Sequence, residues 1–248
     1  MKAQVFVSMG LLAAAHASVI KARQFGPQDI LNYVCEGDSK GDMPEICKNM
    51  CYGVYCQGFS TSMYWDKPDR ETSTARAKTA GCGSGNRCSK SPYGSGCQCD
   101  EFPFRSVTRP SGFLPVNRCV PSGQNRAQSN VLKQFYYSQG SYSGTGLGGQ
   151  PGQFTLSFAN YGDVKYCGFE EDCKNDGNQY NRNGEIADKK DSKRGAGMLN
   201  TYVTEKGQII HVPGGAFPGD RVWTPDSYDE DLDFDIDFIV GPSNETVV

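Results

Sequence analysis

The sequence predicts an α+β fold: a small antiparallel sheet packed with a helix, in the order strand-strand-helix-strand, and stabilised by disulfides. Three observations carry that expectation. Extended runs at 100–102 and 116–120 precede a helical stripe of Gln124, Gln128, Val131, Leu132 and Phe135. Phe154, Leu156 and Phe158 then alternate as a half-buried strand does. Eleven cysteines punctuate the chain.

With 248 residues the chain can bury one core with flanking elaborations. Its start reads as a signal peptide over 1–17: Lys2 gives the basic end, Val5 to Ala15 an apolar stretch too short to span a bilayer, and Ala15-His16-Ala17 a small-x-small cleavage site. No later run is apolar enough to cross a membrane, so the expected product is secreted and extracellular. Asn244-Glu245-Thr246 is the one N-glycosylation acceptor. In an oxidising compartment the cysteines are expected to form disulfides rather than a zinc site, whose paired spacings are missing. The odd count leaves at least one cysteine free or joined to another molecule.

A cysteine-rich N-terminal segment, 18–65, follows the signal. In it Pro44 to Cys56 suits a short helix with Cys47 and Cys51 on one face. The glycine-rich stretch 81–86 has no periodicity and reads as a loop held by Cys82 and Cys88; without a following Gly-Lys-Ser/Thr it is no phosphate loop. The expected core spans 66–160. Asp100 to Phe102 should be extended because Pro103 follows, and Ser122 is placed to cap the helix. The glycine run 140–152 is a connection.

The remainder, 161–248, is a C-terminal extension. Its polar section 170–197 reads as a surface excursion with Cys167 and Cys173 at its base. It fails the calcium-loop pattern, which would put Gln179 first and Lys190 last. Residues 231–240 alternate, with Leu232, Phe234, Ile236 and Phe238 on one side and four aspartates on the other. This predicts a strand with an acidic outer face.

Charge leaves two readings open. Without Lys2 there are 24 basic and 28 acidic residues, a net −4, which does not advertise nucleic-acid binding. From Tyr64 to Phe135, however, eleven Lys/Arg face five Asp/Glu, while Asp226 to Asp237 holds seven acids and no base. A basic surface can attract phosphate under a negative total, and an acidic face could cover it; ordinary charge fluctuation is the alternative.

The chemistry-bearing residues are Asp100-Glu101-Phe102-Pro103 and, after the second strand, Gln124-Asn125-Arg126. Adjacent carboxylates upstream of a polar helix start suit metal-assisted phosphodiester hydrolysis, which needs a base for water and positive charge for the anionic transition state. These motifs resemble those of the secreted bacterial and fungal deoxyribonucleases of the NucA/NucB type: Asp-Glu-Tyr-Pro, a strand, then an acidic residue and Asn-(Arg) opening a helix. Phe102 replaces the tyrosine, Ser129 an expected glycine, and Gln124 the acid. The resemblance covers roughly Cys97 to Phe158.

It implies a metal-dependent endonuclease that hydrolyses DNA without sequence specificity, with Mg²⁺ or Mn²⁺ as cofactor and a nuclease core over 66–160. Asp100, Glu101 and Asn125 are the implied catalytic residues, and Asp100 the aspartate base. Asp100, Gln124 and Asn125 are the candidate metal ligands, with Arg105 and Arg126 for substrate phosphate. Successive side chains of a strand point to opposite faces, so Glu101 is expected to support rather than share the role of Asp100. An amide at 124 is a weaker ligand than a carboxylate, so a competing expectation is a secreted binding protein or effector that keeps the fold with weakened or no activity. A disulfide-stabilised cell-wall protein is a third. For Asn125 and Gln128 the plainer roles are helix-start and core hydrogen bonding. His211 is the one imidazole outside the signal, and its apolar neighbours make it a strand residue rather than a base.

Overall fold

The computed structural model describes residues 26–36, 42–137, 146–168, 173–186 and 200–243. The expected signal peptide, the Asn244 acceptor and parts of both the glycine run and the polar excursion lie outside them.

The largest unit is a six-stranded barrel. It is formed by β1 (Asp29–Val34), β5 (Gly152–Ala159), β8 (Thr201–Thr204), β9 (Ile209–His211), β10 (Arg221–Pro225) and β11 (Phe234–Pro242). The strands run in the order β1-β10-β11-β8-β9-β5, and a β5–β1 pairing closes the ring. β1 is parallel to both its neighbours; the other pairings are antiparallel. The remaining strand of this sheet, β2 (Ser62–Trp65), pairs with the first half of β5.

Each barrel strand gives at least one side chain to a small apolar cluster: Ile30 and Val34, Ala159, Tyr202, Ile210, Val222 and Ile239. On the same faces Ser157 Oγ donates to Asn32 Oδ1, whose Nδ2 donates to Thr224 Oγ1, so the buried polar atoms inside are paired. The alternate side chains, Leu31, Tyr33, Phe154, Leu156, Phe158 and Trp223, enter the main core outside the barrel.

That core joins the barrel to the first and third of three helices. α1 (Pro44–Cys51) continues as a π-helical turn, Tyr52–Cys56; α2 is Arg70–Thr79, capped by Asp69 accepting from Thr72 N; α3 is Ser122–Tyr137. Phe135 of α3 meets Phe154, Trp223 and Phe234 at centroid distances of 5.3, 6.3 and 6.2 Å, and Tyr136 stacks on Trp65 at 4.6 Å. A second sheet holds β3 (Cys97–Phe102), β4 (Val116–Pro121) and the short hairpin β6 (Tyr180–Asn181) and β7 (Gly184–Glu185).

The α+β class and the disulfides agree with the sequence expectation, but the small sheet-and-helix core does not. β3 and β4 pair as expected, yet β5 lies in the barrel rather than beside them. Closure buries both faces of β5, so its small polar residues Thr155 and Ser157 are as buried as its aromatics. The acidic strand is likewise revised. Ile236 and Phe238 are each 37% exposed, whereas Asp237 is buried and accepts from the backbone N–H groups of Lys206 and Phe238.

Five disulfides link Cys35–Cys47, Cys51–Cys167, Cys56–Cys173, Cys82–Cys99 and Cys88–Cys119, leaving Cys97 free. Cys82 and Cys88 anchor their loop to β3 and β4 rather than to each other. Two bridges tie the helical N-terminal section to the segment after β5, closing separations of 116 and 117 residues. Among the described residues no helix is long and apolar enough to cross a membrane.

Candidate active site

A cleft of about 480 Å³ opens with β3 at its base. Trp65, Ser73 and Cys82 line it from the α2 side, and Asn125, Gln128, Leu132 and Lys133 from α3. Asp100 and Glu101 both reach it, each held from a different direction.

Asp100 is 3% exposed. Its Oδ2 accepts from Asn49 Nδ2 at 2.8 Å, and that same amide donates to the Asp100 backbone carbonyl at 3.1 Å. Burial pushes the carboxyl from its ordinary value up to about 8. The Asn49 hydrogen bond opposes the rise, nearby Glu101 adds to it, and Gln128 and Arg118 oppose it. Two polar atoms around it, Asn49 Oδ1 and Gln128 Nε2, are buried without a hydrogen bond of normal geometry.

Glu101 faces Arg105, whose Nε lies 3.6 Å from Oε1, and feels the charge of Arg109; its carboxyl is nonetheless raised, chiefly by burial. Asn125 Nδ2 donates to Gln98 Oε1 at 2.6 Å, tying the first turn of α3 to β3. Gln98 and Asp100, two residues apart in the strand, share the face that α3 covers.

Beside Asp100 in the sheet, Arg118 of β4 is clamped between two carboxylates. Its Nε donates to Glu45 at 2.7 Å, and its two terminal nitrogens donate to Asp176 at 3.0 and 2.7 Å. Burial pushes both acids up, but Arg118 holds them below their ordinary range. This cluster braces the strand opposite Asp100, its partner in the β3–β4 register.

The remaining sequence candidates divide by position. Arg105 lines the cleft and is 58% exposed; Arg126 is exposed on α3 but is not part of the cleft wall. Gln124 turns to α1, where its Oε1 accepts from Glu45 N at 2.9 Å, so it does not join Asp100 and Asn125 in the cleft. His211 lies in the barrel against Tyr55 and Tyr161, away from the site. The acidic residues of 226–237 do not line the cleft either. Their loop instead receives Asn130 and Gln134 of α3 through the carbonyls of Tyr228 and Leu232.

Asn49, Gln128 and Lys133 were given no site role from the sequence. Gln128 is three residues after Asn125 and so on the same helix face, a spacing that could have drawn it in. Asn49 arrives only by tertiary packing.

Residues 50–147 match the family model described as Deoxyribonuclease NucA/NucB. This segment is therefore similar to the NucA/NucB deoxyribonucleases. It contains β3, β4, α3 and every cleft residue described above, with Asn49 immediately before it. The strands that close the barrel all lie outside it. No curated protein and no solved structure matches the chain.

Among the described residues no three His, Cys, Asp or Glu side chains gather as a closed metal cage. The cleft does offer two carboxylates together with the amide groups of Asn125 and Gln128. That donor set fits a hard, largely hydrated cation, since Mg²⁺ is commonly held by one or two carboxylates and completes its shell with water and substrate phosphate.

Proposed function

We propose that the chain is a secreted, metal-dependent endonuclease that hydrolyses phosphodiester bonds of DNA without sequence specificity. The observation that carries this reading is Asp100: a buried carboxyl raised to about 8 on the floor of an open cleft within the deoxyribonuclease-type segment. Five disulfides suit an oxidising compartment and support export.

In this reading Asp100 takes the proton from the attacking water, and Asn49 fixes the carboxylate in one orientation. Glu101 holds Arg105 towards the cleft, where the guanidinium and Lys133 meet substrate phosphate. Asn125 positions water or substrate from the helix start, steadied by Gln98. Asp100, with the carbonyl oxygens of Asn125 and Gln128, would hold Mg²⁺ or Mn²⁺. When bound, such an ion supplies positive charge to the phosphoryl oxygens and favours ionised Asp100. Gln124 has no part in that set.

A second reading has a specific observation behind it. Gln124, at the position where the family resemblance places an acid, is engaged with α1, which leaves two carboxylates in the cleft. The chain would then be a DNA- or surface-binding protein with lost activity. Incubating the purified protein with plasmid DNA and Mg²⁺ or Mn²⁺ separates the two. Cleavage that EDTA abolishes and Asp100→Asn reduces at least about 100-fold is expected. No EDTA-sensitive cleavage would leave the binding role standing instead, and undiminished cleavage by the variant would refute Asp100 as the base.

A further inference from the structure

We propose a second nucleic-acid subsite beside the cleft, which takes one nucleotide of the DNA strand a few steps from the bond cut. This deepens the nuclease reading and rests on it. The subsite is a separate cavity of about 340 Å³ into which three elements each bring an arginine: Arg76 from α2, Arg109 from the loop between β3 and β4, and Arg182 from the turn between β6 and β7. Phe113 and Leu114 form its apolar wall.

The charges there are incompletely answered. Arg76 is neutralised by Asp66 through two hydrogen bonds of 2.8 and 2.5 Å. Arg109 donates to two backbone carbonyls, those of Pro103 and Arg76, and has no carboxylate within ion-pair distance among the described residues; its Nε is buried without a hydrogen bond. Glu101 acts on it only from farther away. Arg182 is exposed and makes no ion pair among the described residues. No carboxylate lines the cavity, so two positive charges face it without a local counter-ion. A phosphate fits the open guanidinium fork of Arg182 with the charge of Arg109 beside it, and the Phe113 ring, packed against Phe59 at 4.7 Å, offers its other face to a base.

The placement of Arg182 is built into the fold. Gly81, just past α2 at φ +86°, lets the hairpin backbone come close: a Cβ there would lie 2.9 Å from Asn117 Nδ2 and 3.3 Å from Arg182 Cα. On the other side Arg87 stacks over Tyr180 at 3.8 Å and bonds Asn178, fixing the hairpin. The subsite also follows directly from the cleft. Ser73 of α2 lines the cleft, while Arg76 and Thr79, further along the helix, line the second cavity. Ser73 and Thr79 are about 9 Å apart along the helix axis, which sets the two cavities side by side within the reach of a few nucleotides of one strand.

The test measures binding of a fluorescein-labelled 12-nucleotide single strand to the full chain in EDTA, by anisotropy across a salt series. Arg182→Gln should weaken binding about threefold or more and reduce the slope of log K against log salt by about 0.7, the contribution of one single-strand phosphate. Phe113→Ala should weaken binding about fivefold with the slope unchanged. Lys206→Gln on the barrel removes the same charge at a distance and serves as the control. If Arg182→Gln and Lys206→Gln are indistinguishable, or the wild-type chain does not bind the strand, the subsite is overturned. Binding with the expected Arg182 dependence but without plasmid cleavage would refute the nuclease reading and leave the subsite in place. Cleavage with no Arg182 dependence would do the reverse.

Discussion

Replacing Asp100 by asparagine in the metal-free protein should make the chain more stable, by an amount that grows with pH. Burial raises this carboxyl from an ordinary value of 3.8 to about 8. The folded chain therefore keeps a proton that the unfolded chain has released at every pH between those values. Stability tied to the neutral acid is full below about pH 4 and is lost as pH rises through about 8. At 1.36 kcal/mol per pH unit the whole penalty is on the order of 6 kcal/mol, a ceiling that water entering the cleft reduces. Asparagine has nearly the same shape, can still accept from Asn49 Nδ2, and cannot ionise.

Urea denaturation of both proteins in EDTA at pH 5, 6, 7 and 8 measures the effect. The variant should gain about 2–4 kcal/mol on the wild type between pH 5 and pH 8. Glu101, also raised mainly by burial, should leave a smaller pH slope in the variant. Adding Mg²⁺ or Mn²⁺ should stabilise the wild type, by about 2.7 kcal/mol at 100 times Kd, and the variant much less. Parallel stability curves for the two proteins in EDTA would refute the claim that Asp100 is a desolvated carboxyl. Equal stabilisation of both by the cation would refute its role as a ligand.

Three further outcomes follow from the packing. Arg118→Met leaves Glu45 and Asp176 facing each other without their cation; both are roughly a quarter exposed, so the loss should be about 2–3 kcal/mol by urea denaturation rather than the 3–5 of a fully buried pair. Phe135→Ala removes the ring shared by α3 and three barrel aromatics and should destabilise by about 3–5 kcal/mol in the same assay; a change below about 1 kcal/mol would mean that α3 is not held by the barrel. Alkylation of the denatured, unreduced protein followed by mass spectrometry should give one adduct per chain, at Cys97, and an unmodified Cys97 would point to an intermolecular disulfide.

Local signals were legible where local rules decide. β3 ends before Pro103, and α3 begins at Ser122. The helical stripe placed Gln128, Val131 and Phe135 in the interior. The barrel was hidden because the two pairings of β1 that close it join residues more than a hundred apart, such as Ile30 with Thr155 and Leu31 with Trp223. Alternation in β5 also means something different in a closed sheet: the small polar positions face an interior rather than water. The strict alternation of 231–240 misleads for a related reason, since Asp237 is buried where its carboxylate accepts from its neighbour Phe238 N and from Lys206 N, which the β8–β9 turn supplies. At the site, Asp100 and Asn125 could be read from motifs, but Asn49 could not, because nothing near it in sequence announces that its amide will meet Asp100 across 51 positions.

The division between the family segment and the barrel bears on how the cleft keeps its shape. α3 turns Asn125 and Gln128 to the cleft at its start, and buries Phe135 and Tyr136 against Phe154 near its end. Leu31, Tyr33 and Trp223 enter the same core from barrel strands outside the matched segment. The helix that positions the amides over Asp100 is thus anchored by residues the family match does not include. The two long-range disulfides act in the same direction, fastening α1, and with it Asn49, to the segment after β5. A desolvated carboxyl would relax towards solvent, and towards its ordinary pKa, if the walls around it could move. The barrel and the bridges hold those walls together, and the elevated Asp100 is the chemical consequence.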